Sequence, residues 1–181
     1  NVEMLYSQLD KVMLSPFVND IAVTEYTIPT TLVGMVCTIP LSLISVSIPR
    51  LSGYLGNQDL VSYKRTLQDT IRTYMSILMP MIIGIFVLSQ EIMWLYTKDV
   101  YTYAFPVLAL AALARIVMGY ESIVSNLMMY VCGMEKKLTI YLLFGGIFNL
   151  VCNFILVWCN KFSAFSAFFT TVVAYVIVTV L

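Results

Sequence analysis

The sequence contains no histidine, and only 11% of its 181 residues are charged. Without histidine the chain cannot form a Ser-His-Asp triad, a Cys-His nucleophile or a His-ligated metal site. The four cysteines include no Cys-x-x-Cys pair, and all of them lie in apolar runs. Because metal and redox sites need paired ligands, we expect buried, inert thiols and no cofactor.

The charges that are present balance, with ten basic and ten acidic residues. A net charge of zero gives no indication of nucleic acid as a partner. In contrast, 60% of the residues are hydrophobic and the mean hydropathy is +0.89. Soluble domains are about 45–50% apolar and about 25% charged, so the composition predicts an integral membrane protein with membrane lipid as its surroundings.

Long apolar runs predict how the chain crosses the membrane. A spanning helix needs about 20 predominantly apolar residues. Five runs satisfy this length: Thr27–Ile48, Thr73–Tyr96, Tyr101–Val131, Leu138–Cys159 and Phe162–Leu181. A sixth, Val2–Val18, is weaker because it contains three charged residues. We predict an all-α, polytopic transmembrane bundle of about six spanning helices, with residues 1–181 forming a single transmembrane domain.

The basic residues predict the orientation of this bundle. Six of them lie in or beside the second and fourth connections: Arg50, Lys64, Arg65, Arg72, Lys136 and Lys137. The other three connections hold Lys11, Lys98 and Lys161. Because positive charge favours the cytoplasmic side, both ends of the chain are expected there. The first residue is Asn1 and no basic segment precedes an apolar run, so we expect no signal peptide and a piece of a longer protein.

Arg115 lies near the middle of the Tyr101–Val131 run. An arginine that faces lipid costs from about 2.5 kcal/mol to more than about 10 kcal/mol, so such residues usually turn inward. At about 100° per residue, Arg115 shares a small and polar stripe with Ala104, Ala111, Gly119, Ser122 and Asn126. Two interpretations stay open: a helix-packing seam with Arg115 in an ion pair, or a cavity wall that presents a cation to an anionic substrate.

Other polar side chains in the apolar runs extend both interpretations. Glu121 lies about 120° from Arg115 around the helix, so the two cannot pair as neighbours one turn apart. Glu121 and Glu25 are therefore candidates for ion coupling or for structural ion pairs. Further stripes contain Thr27, Thr31, Gly34, Thr38, Ser42 and Ser45; Tyr141, Gly145, Asn149 and Asn153; and Ser163, Ser166 and Thr170. Each alone is typical of helix packing, but together they favour a hydrated central cavity.

Four motifs give the chain a resemblance to a known family. Gln8–Leu14 resembles the signature that closes the seventh helix of bacterial polysaccharide repeat-unit flippases, and Ile48–Ser52 resembles their motif after the eighth helix. Cys132–Lys137 and Phe148–Asn153 resemble their Gly-x-x-Lys turn and the Asn-Leu-x-x-Asn helix behind it. These proteins belong to the superfamily of multidrug, oligosaccharidyl-lipid and polysaccharide exporters. The resemblance covers nearly the whole chain and implies the C-terminal lobe of a two-lobed transporter.

The resemblance also implies a function, for which the charged and polar residues of the apolar runs are the candidate substrate contacts. A flippase of this family moves undecaprenyl-diphosphate-linked oligosaccharide across the bacterial inner membrane by alternating access, together with an N-terminal lobe. Such a diphosphate needs cations in a wet cavity. Arg115 is the main candidate, Arg50 and Lys11 are further cationic candidates, and Ser122 and Asn126 are the polar candidates beside Arg115.

Two other functions are considered beside the flippase, which is not an enzyme. A drug or cation antiporter of the same superfamily would favour a cavity dominated by carboxylates rather than by Arg115. A membrane-embedded glycosyltransferase or polymerase would need an acidic metal site or a large catalytic loop. The sequence has no Asp-x-Asp motif and only short connections, which disfavours that third function.

Overall fold

The protein forms a bundle of α-helices in a computed structural model that describes residues 2–180, with side chains described from residue 8 onwards. The helices are α1 (Val2–Phe17), α2 (Asp20–Gly56), α3 (Leu60–Val87), α4 (Ser89–Thr97), α5 (Phe105–Ser122), α6 (Glu135–Trp158) and α7 (Ala164–Val180). A 3-10 turn at Thr102–Ala104 precedes α5, and a π-helical segment at Ile123–Tyr130 follows it. No strand occurs among these residues, so the predicted all-α bundle is confirmed.

Four of these helical stretches are long and apolar enough to cross a membrane, and the protein is a membrane protein by this measure. They are Asp20–Gly56, Leu60–Val87, Thr102–Tyr130 and Glu135–Trp158. The other two expected spans form shorter helices, with 16 residues in α1 and 17 in α7. Large apolar side chains such as Ile39, Ile83 and Phe154 are exposed on the outside of the bundle, as a lipid environment permits.

Several helix boundaries differ from those that the apolar runs indicate. α2 continues to Gly56. α3 begins thirteen residues before Thr73, because the Asp59 carboxylate caps it by accepting a hydrogen bond from the Ser62 backbone N–H at 3.0 Å. Hydropathy marks only the membrane part of a helix, so it misses these polar turns. The run Thr73–Tyr96 is divided between α3 and α4 at Leu88.

The helices pack so that alternate connections lie at the same end of the bundle. α2 packs against α3 and α5, α7 against α5 and α6, and α1 against α2 and α6. The Tyr63 hydroxyl near the start of α3 donates to the Leu127 carbonyl at 3.1 Å, and the Tyr103 hydroxyl donates to Glu25 Oε1 at 2.8 Å. The first bond lies at the end of the bundle that the sequence predicts to be cytoplasmic. The second bond lies at the opposite end.

Candidate functional site

A cavity of about 260 Å³ lies where four helices meet in the middle of the bundle. Its walls come from α1, the first turns of α2, the middle of α5 and the middle of α7. The lining residues are Lys11, Tyr26, Thr30, Thr31, Ala111, Arg115, Met118, Phe168, Thr171 and Tyr175. Thr31 of the α2 stripe and Ala111 and Arg115 of the α5 stripe therefore line the same cavity.

Lys11 and Arg115 bring two positive charges to this cavity, and none of the described residues that line it is acidic. Both side chains are half-buried. Arg115 lies over Gly34 of α2, where a Cβ would be 3.4 Å from Arg115 Nη2. That distance is an ordinary van der Waals contact, and the two cations make this part of the cavity positively charged.

Arg115 also borders a second, smaller cavity of about 100 Å³ towards the π-helical segment. This cavity is lined by Cys37, Leu41, Tyr74, Arg115, Met118, Gly119, Glu121, Ser122 and Tyr175. Because Arg115, Met118 and Tyr175 line both cavities, the guanidinium lies at their junction.

The carboxylate of Asp10 lies behind the larger cavity and is fully buried. Asp10 Oδ2 accepts hydrogen bonds from the Tyr26 hydroxyl at 2.8 Å and the Thr171 hydroxyl at 2.6 Å. Asp10 Oδ1 accepts one from the Asn153 amide at 2.7 Å. A buried carboxylate needs such donors, because leaving it without partners costs several kcal/mol. Three helices besides α1 supply them.

Two asparagines one turn apart on α6 continue this network. Asn149 and Asn153 are both fully buried, and the Asn153 oxygen accepts from the Thr170 hydroxyl at 2.6 Å. In the orientation that satisfies both ends of its amide, Asn149 donates to Asp10 Oδ1 at 3.3 Å and accepts from the Thr171 backbone N–H at 3.2 Å. The polar stripes of α6 and α7 thus meet each other and Asp10.

The network and the cavity share two side chains, since Tyr26 and Thr171 line the cavity and also donate to Asp10. The arrangement therefore provides a direct physical link between a buried carboxylate and a cationic cavity.

The remaining predicted site residues lie outside the larger cavity. Ser122 lines the smaller cavity, whereas the Asn126 amide donates to the Ser122 carbonyl of its own helix at 3.0 Å. Arg50 borders a separate groove between α2 and α3. Glu121 is buried and accepts a hydrogen bond from Ser125, and Glu25 accepts one from Tyr103 near the end of the bundle.

The groups around Asp10 face it as hydrogen-bond donors: the Tyr26 and Thr171 hydroxyls and the Asn153 amide N–H. The amide oxygens of Asn153 and Asn149 face Thr170 and Thr171 instead. Within residues 8–180, no group of three His, Cys, Asp or Glu side chains could hold a metal ion.

Asp10 and Tyr26 were not among the site residues that the sequence predicts. The signal that could have found Asp10 is a carboxylate inside an apolar segment, which is costly in a membrane unless it has partners. Asn149 and Asn153 are four residues apart and therefore share one helix face. Two amides on one face need polar neighbours, so this spacing indicates that a polar partner such as Asp10 packs against α6.

Comparisons with protein families, with curated proteins and with solved structures found no match to the chain.

Proposed function

We propose that the chain is the C-terminal lobe of a bacterial inner-membrane flippase for undecaprenyl-diphosphate-linked oligosaccharide. In this proposal an N-terminal lobe completes the transporter, and alternating access carries the polar glycan across the bilayer. The motif resemblance supplies the family, and the cationic cavity supplies the physical support.

The observation that carries the proposal is the cavity charge, set by Lys11 and Arg115. A cation within a membrane is expensive, so its retention in a cavity is best explained by an anionic partner. A diphosphate offers oxygens in the geometry that a planar guanidinium binds through two parallel hydrogen bonds. The lysine adds a second positive charge across the cavity.

The same observation favours a flippase over a drug or cation antiporter. An antiporter for cationic drugs would need negative charge in the cavity itself. Here the carboxylate of Asp10 is shielded behind Tyr26 and Thr171, while the cations line the space. This charge pattern favours an anionic cargo, with Asp10 as a separate acidic centre and Glu121 at the smaller cavity.

Asp10 is the carboxylate that couples transport to a monovalent cation in this proposal. A proton or a sodium ion would neutralise it, and a sodium ion would require the Asn149 and Asn153 amides to rotate their oxygens towards Asp10. Neutralising Asp10 weakens its hold on the Tyr26 and Thr171 hydroxyls and so changes the cavity wall. Glu121 and Glu25 remain the other candidates for coupling.

Coupling at Asp10 is tested by thermal unfolding of the purified chain in sodium and in potassium salts, each over a range of pH. A ligand that binds the native state stabilises it by mass action. If sodium is the coupling ion, it should raise the unfolding temperature of the native sequence but not that of Asp10→Asn. If a proton is the coupling ion, the unfolding temperature of the native sequence should depend on pH and that of Asp10→Asn should not. Equal salt and pH responses in both proteins would contradict coupling at Asp10.

Glycan export tests the flippase itself. A bacterium that lacks its repeat-unit flippase would express this lobe joined to its partner lobe, and surface glycan and membrane abundance would be measured together. Arg115→Ala should abolish export at normal abundance, while Lys161→Ala, which removes an exposed charge, should leave export intact. Normal export by Arg115→Ala would contradict the proposal, and parallel loss of protein and export would assign Arg115 to a structural role.

A further inference from the structure

The hairpin of α2 and α3 extends well beyond the membrane core. With 37 residues at about 1.5 Å each, α2 is about 55 Å long, whereas the hydrocarbon core is about 30 Å thick. The apolar part of α2 ends at Ile48, and that of α3 begins at Thr73. The helical turns between these positions therefore lie at the level of the lipid headgroups and beyond.

A groove of about 320 Å³ lies between α2 and α3 at this level. It is lined by Leu43, Val46, Ser47 and Arg50 of α2 and by Thr66, Asp69, Thr70 and Thr73 of α3. The Ser47 and Thr70 hydroxyls lie 3.1 Å apart and join the two helices across it. The groove belongs to neither of the cavities beside Arg115.

The groove is amphipathic along the direction of the membrane normal. Leu43 and Val46 lie towards the membrane, and Val46 is two-thirds exposed, at 67%. Arg50 lies one helical turn further out. Across the groove it faces the threonines of α3, a helix that runs antiparallel to α2. A lipid standing beside the protein has the same order, with acyl chains inside and phosphate outside.

The surrounding charge complements an anionic headgroup. Residues 50–73 contain four basic and two acidic side chains. Asp69 lies in the groove, but Arg65 and Arg72 occupy the helical positions four before and three after it, where opposite charges attract. The net charge of this segment is therefore positive, and the exposed Arg50 lines the groove.

We propose that this groove binds the phosphate of an anionic phospholipid, with Arg50 as the main contact. The guanidinium donates to two phosphate oxygens, and the hydroxyls of Thr66 and Thr70 lie in the same groove as further donors. Leu43 and Val46 contact the start of the acyl chains. The bound lipid fastens the α2–α3 hairpin to one leaflet.

Native mass spectrometry of the purified chain with dioleoyl phosphatidylglycerol tests this site, with dioleoyl phosphatidylcholine as the zwitterionic reference. Arg50→Gln should weaken phosphatidylglycerol binding by at least about tenfold, as expected for a lost charged hydrogen bond. Lys64→Gln removes the same charge from an exposed position outside the groove and should retain tight binding. Asp69→Asn should strengthen binding.

Three results would overturn the site. Equal losses in Arg50→Gln and Lys64→Gln would show diffuse attraction to a basic surface. Equal binding of both phospholipids would remove the role of negative headgroup charge. Inorganic phosphate that displaces phosphatidylglycerol at equal concentration would show that the groove recognises free phosphate rather than a lipid. Because Arg50 is exposed, unchanged unfolding temperatures should confirm that the variants are folded.

Discussion

The hydroxyl of Tyr74 on α3 lies so close to Gly119 on α5 that a Cβ at position 119 would be 2.5 Å from it. The same Cβ would be 3.1 Å from Tyr74 Cε1 and 3.2 Å from Leu78 Cδ2. Both neighbours are fully buried, so neither can move freely. Gly119 is one helical turn from Arg115, and both residues line the smaller cavity.

Replacing Gly119 with alanine should destabilise the bundle by about 1–3 kcal/mol, the usual cost of overpacking a close-packed interior. Removing the hydroxyl with Tyr74→Phe should recover part of that loss, because the nearest atom disappears. Thermal unfolding of both single variants and the double variant measures the coupling. Additive effects of the two substitutions would contradict the contact.

The Asp10 network predicts a large effect from a small change. Asp10→Asn replaces one acceptor oxygen with an NH₂ group that faces existing donors, so we expect a loss of about 1–3 kcal/mol. Asp99→Asn is the matched control, because Asp99 is exposed and asparagine tolerates its left-handed φ of 71°. Chemical unfolding in detergent should separate the two variants, and equal stability would refute the buried network.

The N-terminal cap of α3 lies outside the membrane and predicts that the stability of this helix depends on pH. Hydrogen bonds from the side chain and backbone of Ser62 lower the pKa of Asp59 from its usual 3.8. A lowered carboxyl pKa stabilises the folded state above the unfolded value, about 3.9, and this contribution disappears as the pH falls through the folded pKa.

Asp59→Asn provides the comparison, because asparagine caps a helix without titrating. The native sequence should lose α3 stability relative to Asp59→Asn as the pH falls below about 4. Amide hydrogen exchange at the start of α3 measures this difference. An identical pH response in the two proteins would contradict the role of the Asp59 charge.

The orientation predicted from the basic residues is tested by cysteine labelling from intact cells. Lys64 and Lys137 are expected in the cytoplasm and Lys98 outside. The expectation of buried thiols is wrong for Cys132 and Cys159, which are exposed, so the native thiols must first be replaced. An impermeant reagent should label Lys98→Cys but neither Lys64→Cys nor Lys137→Cys. The opposite pattern would reverse the orientation.

The sequence was sufficient to predict the helical bundle but not the network of Asp10. Helical spacing shows which residues share a face, and Ala111 and Arg115 do line the same cavity. It does not show which faces meet, and the partners of Asp10 lie up to 161 positions away along the chain. In the sequence, Asp10 is therefore visible only as a charged residue that makes Val2–Val18 a weaker candidate for a membrane span.

Asn126 shows a second limit of helical spacing. The predicted stripe assumes a constant α-helical turn, but Ile123–Tyr130 is π-helical. A π-helix bonds each residue to one five positions away, so the phase changes after Ser122. Asn126 consequently bonds to its own helix while Ser122 reaches the smaller cavity.

Binding of a short prenyl diphosphate by the purified chain tests the central claim most directly. Isothermal titration would compare farnesyl diphosphate with farnesol for the native sequence, Arg115→Ala, Arg115→Lys and the exposed control Lys161→Ala. We expect Arg115→Ala to weaken diphosphate binding about 10–100-fold, since a hydrogen bond to a charged group contributes about 1.5–3 kcal/mol. Arg115→Lys should recover only part of the affinity because it keeps the charge and loses the planar fork. Equal affinity for farnesyl diphosphate in the native sequence and Arg115→Ala would contradict an anion site at Arg115.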